Sequence, residues 1–433
     1  MSGKFVDKYN TIIIHKNYNT YLGICKENTS KSVFILFSQI FEIAIENPHP
    51  PVYHYFIVKT YMNLIKVNVN FEEYYMGDFK LSYRENWFRT VMFKKPEYIL
   101  GGIGVRTDGW YKHGVKLNDL YEKHFGHRPY PDDKIPKPDP NLIDNNGEYH
   151  NKWTDEWGCV MEERVYGIHP MIVGHPFDNW DAMKTYQPPP LPDMSHESIE
   201  QEKKQVEAIK KNGGIAMQHF LRLFERLQWL RGYAKLFVDF TEDSPELHEL
   251  ADMVVEYNIS WIKRSIAVGA DAVGFSDDWG TQNALMIHPN RWREFFKPLY
   301  KRMFDPIKEA GMLVHFHSDG YIIDIIPDLR ELGVEVINPQ TNCHDLEKLG
   351  DLCNELNICV NADIDRQGVL SFGTPDKVKE YFHGVAYLLG SHDGGLMFSC
   401  ECGSDTPLEN IEAAIQVVKE YQEKPLKDVP KKR

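Results

Sequence analysis

The chain has 433 residues, 42% hydrophobic and 26% charged, enough to bury a large core and in the range of globular proteins. A formal net charge of -14, with no basic cluster beyond the terminal Lys431, Lys432 and Arg433, excludes a nucleic-acid partner because nothing is matched to phosphates. Seven cysteines in so long a chain exclude a dense disulfide framework, and the longest apolar stretch, SVFILFSQIFEIAI, is too short to span a membrane and carries Glu42.

In chain order, the first eighty residues differ in texture from the rest, being rich in Asn, Tyr, Ile and Lys. The start mixes Lys4, Asp7 and Lys8 with a short Ile12, Ile13, Ile14 run, so no signal peptide is expected and the protein is read as cytoplasmic with reduced thiols. Residues 1–80 are expected to be an extension, either accessory or preceding a true start at Met76. A barrel domain over 81–425 and a basic tail over 426–433 complete the expected organisation. Within the domain, EYILGGIGV is a predicted strand. RPYPDDKIPKPDPNLIDNNGEYHNKW and YQPPPLPDM have the Pro, Asp and Asn content of irregular excursions. SIEQEKKQVEAIKKN reads as an exposed helix, GGIAMQHF as a strand, and KLFVDF is ambiguous.

The second half repeats one unit, a short apolar run that ends in polar residues and leads into a helical stretch. DAVGFSDDWG, MLVHFHSDG, VEVINPQ, ICVNADID and GLMFSCECG each open such a unit. Gly311, Gly333 and Gly390 stand where helix C-terminal caps are expected, and Thr374 and Thr406 where helices start. Five successive units predict a parallel sheet of seven or eight strands. An α/β fold closed as a (β/α)8 TIM barrel is the leading architecture, with an open doubly wound sheet as the alternative. The lack of a G-x-G-x-x-G after any strand weakens the dinucleotide-binding form of the open sheet.

In a parallel barrel the site lies at the C-terminal strand ends. Those ends carry Asp277 and Asp278, His315, His317 and Asp319, Asn338 and Gln340, Asp363 and Asp365, then Cys400, Glu401 and Cys402. Residues i and i+2 of a strand share a face, so His315 and His317 point together, as do Cys400 and Cys402 with Glu401 opposed. Two histidines and a cysteine around one open position suit catalytic zinc, with Glu401 a further candidate ligand. Asp277, Asp278 and Asp319 are candidate acid, base or anchoring groups, or helix caps. Trp279 is a candidate stacking wall, and Gln282, Asn338, Gln340 and Arg106 are candidate substrate-binding groups. Cys343, Cys353 and Cys359 read as structural.

The blocks YRENWFRTVMF, GHPFDNWDAMKTYQPP, LFERLQWLRGYAKLFVDF, GADAVGFSDDWGTQ, HPNRWREFFKPLYKRMFDPIKEAG, VHFHSDGYIIDIIPDLRELGVEVINPQ and DTPLENIEAA resemble the uroporphyrinogen decarboxylase family over roughly residues 83–422. The resemblance implies a (β/α)8 barrel with its site at the C-terminal mouth. The decarboxylases of the family act on a tetrapyrrole without a cofactor and carry an arginine-rich segment near the first strand, where this chain has only Arg106. The chain is more similar to the corrinoid-linked methyltransferase branch, which implies zinc held by a His-x-Cys strand end and a later cysteine. Here His315 stands at the first of those positions, His317 in place of the first cysteine, and Cys400 or Cys402 at the third. The resemblance thus leads to the expectation of a zinc-dependent methyltransferase moving a methyl group between a small substrate or thiol and a corrinoid on a carrier protein. A homodimer is the oligomer considered for it. The alternatives are a porphyrinogen decarboxylase and a non-catalytic barrel that binds a small ligand.

Overall fold

The computed structural model describes residues 10–16, 19–25 and 79–432. The chain divides into two units, Met1–Val52 and Tyr53–Arg433. In the first, β1 (Asn10–Lys16) and β2 (Asn19–Cys25) form an antiparallel pair with Asn10 opposite Cys25. Apart from these strands, the expected extension lies outside the described residues, as does Met76.

The second unit is built on β3 (Leu100–Val105), β4 (Asn151–Thr154), β5 (Val160–Glu163), β6 (Met171–Gly174), β7 (Met217–Leu221), β8 (Ala272–Ser276), β9 (Leu313–Ser318), β10 (Val334–Pro339), β11 (Cys359–Asp363) and β12 (Leu396–Cys402). Seven of them form one parallel sheet in the order β3-β12-β11-β10-β9-β8-β7. Helices lie between successive strands, the alternation expected of the barrel class. The last strand, β12, returns beside the first, with Cys402 in register with Val105, so the sheet curls round as a barrel wall does.

Between β3 and β7 the chain makes its excursion. It contains the short helical turns its prolines suggest, and also an antiparallel sheet, β4-β5-β6, that composition did not reveal. The turn joining β4 to β5 is made by Asp155, whose carboxylate accepts from the Trp157 and Cys159 amides, and by Gly158 at φ 81°. The ambiguous KLFVDF lies in the helix Tyr233–Glu242, where Leu236 and Phe240, one turn apart, are both buried. Thr374 caps its helix as expected. Thr406 does not: its hydroxyl accepts from the Gly403 amide, and the helix Leu408–Glu423 starts after Pro407. Gly311 and Gly333 take positive φ at helix ends, whereas Gly390 is extended.

The core has two parts, and strand alternation decides which residue joins which. Val273, Phe275, Val314, Phe316, Ile337, Val360, Ala362 and Phe398 belong to the layer shared with the helices. Leu100, Ala272, Leu313, Val336, Cys359 and Met397 face the lumen at its N-terminal end, where Trp87 and Val91 of the helix Tyr83–Val91 fill it. Both Arg84 terminal nitrogens bond the Asp271 carboxylate at 2.6 Å, pinning that plug to the start of β8. The lumen is thus apolar at one end and polar at the other. Phe316 is fully buried on the helix side, between the two lumen-facing histidines. Phe316→Ala is therefore expected to cost about 3–5 kcal/mol in urea unfolding. A loss below about 1 kcal/mol would mean that β9 does not present this face to the helices.

Candidate functional site

The site starts from a contact between two glycines. Gly320 has φ 77°, and a Cβ there would collide with the Gly280 backbone; a Cβ on Gly280 would collide with Tyr321 and Gly320. The turns after β8 and β9 can therefore touch. The Gly280 amide donates to the Asp319 carbonyl at 3.2 Å, Tyr321 N–H to Thr281 O at 2.8 Å, and the Asp319 amide to Asp278 Oδ1 at 2.8 Å. This brings Asp278 and Asp319 to the same place, beside His317.

His317 Nε2 lies 3.7 Å from Asp278 Oδ1 and 3.7 Å from Asp319 Oδ1. Its other nitrogen, Nδ1, is 2.7 Å from Asn338 Oδ1. The Asn338 amide is oriented because its Nδ2 donates to the Asn361 carbonyl at 2.5 Å, leaving only Oδ1 to face the ring. Nδ1 is therefore the donor, and in the neutral ring the Nε2 lone pair points at the two carboxylates. Burial opposes charge on His317, but Asp278, Asp319 and Asp363 outweigh it and raise the ring's pKa. Asp319 Oδ1 is buried without a hydrogen-bond partner. Three acceptors thus converge with a single protein donor among them, the Asp319 amide on Asp278 Oδ1, and either a proton on Nε2 or a cation satisfies the remainder. Among the described residues, these three form the group of potential metal ligands whose donor atoms all lie within 4.8 Å of one another. Two carboxylates and an imidazole suit a divalent cation that keeps open positions for a reactant.

The other expected ligands are not in that group. His315 shares the lumen face but lies one turn of the pleat deeper. Burial drives its pKa down to about 3, so it is neutral, and its Nε2 sits 3.5 Å from Asn361 Nδ2. Cys400 and Cys402 do share a face, with their sulfurs 3.8 Å apart, but it is the helix side, in the layer with Phe398. The expected set of two histidines and a cysteine is corrected by this alternation: β12 sends its thiols outward and Glu401 to the mouth. Glu401 is half-exposed and paired with Arg106 at 3.4 Å.

Asp277 and Asp278 also divide. Asp277 is fully buried and accepts from the Leu223 and Glu225 amides and from the Tyr300 hydroxyl at 2.7 Å, holding the start of the helix Phe224–Arg231. Burial raises its carboxyl to about 6 despite those donors. Trp279 stacks on Phe224 at 3.9 Å and donates to Tyr300, so its ring is part of the core and not a wall at the mouth. Gln282 is exposed, with Oε1 3.5 Å from Cys343 Sγ. Gln340 is buried; its Oε1 accepts from the Gly320 amide and its Nε2 has no partner. Arg106 bonds Asp108 at 3.0 Å and lies 3.7 Å from Asp405 as well as near Glu401, so its charge is balanced within the chain.

Three mouth residues were not singled out from the sequence. Arg366 bridges Asp319 and Asp363, and Arg222 pairs with Glu225 at 2.7 Å. The signal for Arg366 was its place directly after the Asp363, Asp365 strand end. Burial pushes Asp363 up to about 7 and Glu225 from 4.5 to about 8, in each case against the neighbouring arginine.

The Glu225 shift has a defined sign. The folded chain holds this proton more tightly than the unfolded chain, so the stability it contributes is whole below about pH 4 and is lost as pH rises through about 8. Glu225→Gln has nothing to ionise. Its stability relative to the parent is expected to grow from roughly pH 5 to pH 9 in urea unfolding, and a constant or shrinking difference would contradict the assignment.

Residues 228–421 match the family model described as uroporphyrinogen decarboxylase. Over 88 residues the chain is 32% identical to a uroporphyrinogen decarboxylase of Carboxydothermus hydrogenoformans, a match to 19% of this chain and 24% of that one. The chain thus spans about a quarter of the length of that curated relative. Its structure is similar to that of a methyltransferase from Methanosarcina mazei, with 14% identity, a TM-score of 0.52, and coverage of 79% of this chain and 99% of the other. At that identity the likeness is one of fold. No helix among the described residues is long and apolar enough to cross a membrane.

Proposed function

We propose that this chain, whose residues 228–421 are a uroporphyrinogen decarboxylase family domain, is an enzyme that moves a methyl group between a small substrate and a corrinoid on a carrier protein. The observation that carries the proposal is the convergence of Asp278 Oδ1, His317 Nε2 and Asp319 Oδ1 at the mouth, with Asn338 setting the tautomer that turns the Nε2 lone pair toward both oxygens. That donor set fits a divalent cation, zinc included, through carboxylate and imidazole and without a thiolate. A cation held there supplies Lewis acidity, lowering the pKa of a substrate thiol or hydroxyl or polarising a substrate oxygen.

The chain's own residues account for the rest. Asn338 and the Asn361 carbonyl hold the His317 ring in one orientation. The Asp319 amide fixes Asp278, and the buried, neutral His315 closes the lumen beneath the site. The Glu225 and Arg222 pair stands at the neighbouring strand end, where a protonated Glu225 can hold a proton near neutral pH.

Decarboxylation of a porphyrinogen is less well served. Its carboxylates call for free arginines, yet Arg106, Arg222 and Arg366 are each engaged by carboxylates of the chain.

Metal analysis of the purified chain, with methyl transfer between methylcobalamin and a small thiol as the assay, tests the proposal. Asp278→Asn, His317→Ala and Asp319→Asn are each expected to lower metal-dependent transfer at least about a hundredfold. Metal-free protein that decarboxylates uroporphyrinogen would replace this reading with the decarboxylase. Absence of both metal and turnover would favour a ligand-binding barrel.

A further inference from the structure

We infer that Arg366 is the positioning residue of the cation site, acting through Asp319; this rests on the reading of Asp278, His317 and Asp319 as ligands. Arg366 donates from Nη2 to Asp319 Oδ2 at 2.5 Å and from Nη1 to Asp363 Oδ2, so one guanidinium spans the ends of β9 and β11. The grip on Oδ2 decides which Asp319 oxygen is left over. Oδ1 remains, unpartnered and 3.7 Å from His317 Nε2. Without that hold the carboxylate is free to rotate and to present either oxygen, and the ordering of the site must be supplied at the moment of binding.

The presentation of Arg366 is itself built. The Asp365 carboxylate accepts from the amides of Gln367, Gly368 and Val369, which closes the chain into a tight turn directly after β11. A Cβ at Gly368 would meet the Asp365 carboxylate, so a side chain there would displace the group that closes the turn. The Arg366 carbonyl accepts from the Ser371 hydroxyl, tying the far side of the turn down. Asp365, a strand-end carboxylate by sequence, thus forms the mount on which Arg366 sits. Arg366 also balances charge. The guanidinium offsets the Asp319 and Asp363 carboxylates, which by charge alone disfavours a cation, so weaker binding on its removal reports positioning and not charge.

Full-length protein stripped of metal and titrated calorimetrically with Zn²⁺ or Mn²⁺ alone gives the test. Arg366→Ala is expected to weaken binding about 10- to 100-fold, and Arg366→Lys, which keeps the charge but not the fork, to recover part of the loss. Thermal unfolding without metal reports whether each variant folds; Arg366→Met, which keeps the aliphatic stem, serves the same comparison if the alanine variant does not. The route through Asp319 is read from a double-mutant cycle. The Arg366→Ala penalty should persist in an Asp278→Asn background and vanish in an Asp319→Asn background. Folded Ala and Met variants that bind as the parent does would overturn the inference while leaving the cation site standing, as would a full penalty in the Asp319→Asn background. A parent chain that binds neither ion removes the cation site and this inference with it.

Discussion

Two glycines that face each other across adjacent turns set the terms for the rest of the mouth. Gly280 and Gly320 approach so closely that neither position has room for a side chain. The whole site depends on that approach: the Asp319 amide reaches Asp278, both carboxylates come to rest beside His317 Nε2, and the strands β8 and β9 end level with each other. Glycine costs conformational entropy on folding, and that cost is accepted here because only a bare backbone lets two loops meet.

Much of the fold was legible in the sequence because its signals are local. Short apolar runs closed by polar residues, with capped helices after them, marked β8 to β12 and their order. The inserted sheet β4-β5-β6 was harder, since its strands have four residues each and their pairing depends on turns at Gly158 and on Asp155. At the site, alternation correctly predicted which residues share a face but not which face it is. His315 with His317 and Cys400 with Cys402 are pairs in both sequence and structure, yet one pair looks into the lumen and the other into the helix layer. A strand buried on both sides has apolar residues at every position, so no polarity contrast says which side is which. Arg366 was not legible for a different reason: its role lies in bridging Asp319 and Asp363, and a pairing between two strand ends 44 residues apart leaves no local mark in the sequence.

Electrostatics organise the mouth as a set of closed accounts. Arg106 is held by Asp108, Glu401 and Asp405, Arg222 by Glu225, and Arg366 by Asp319 and Asp363. The exception is the face between Asp278, His317 and Asp319, where the acceptors outnumber the donors. Buried polar groups are ordinarily paired, so a local excess of acceptors is where a positively charged occupant gains most.

The adjacent carboxylates at the end of β8 have a mechanical meaning. Asp277 reaches outward through the wall to grip the first turn of the helix Phe224–Arg231, while Asp278, one peptide unit on, stands in the lumen. The wall is stiff here, with Trp279 wedged between Phe224 and Tyr300. The end of β8 is thus a rivet: one carboxylate fastens the strand to the helix outside the barrel, and the next residue along carries the carboxylate that faces the cavity within.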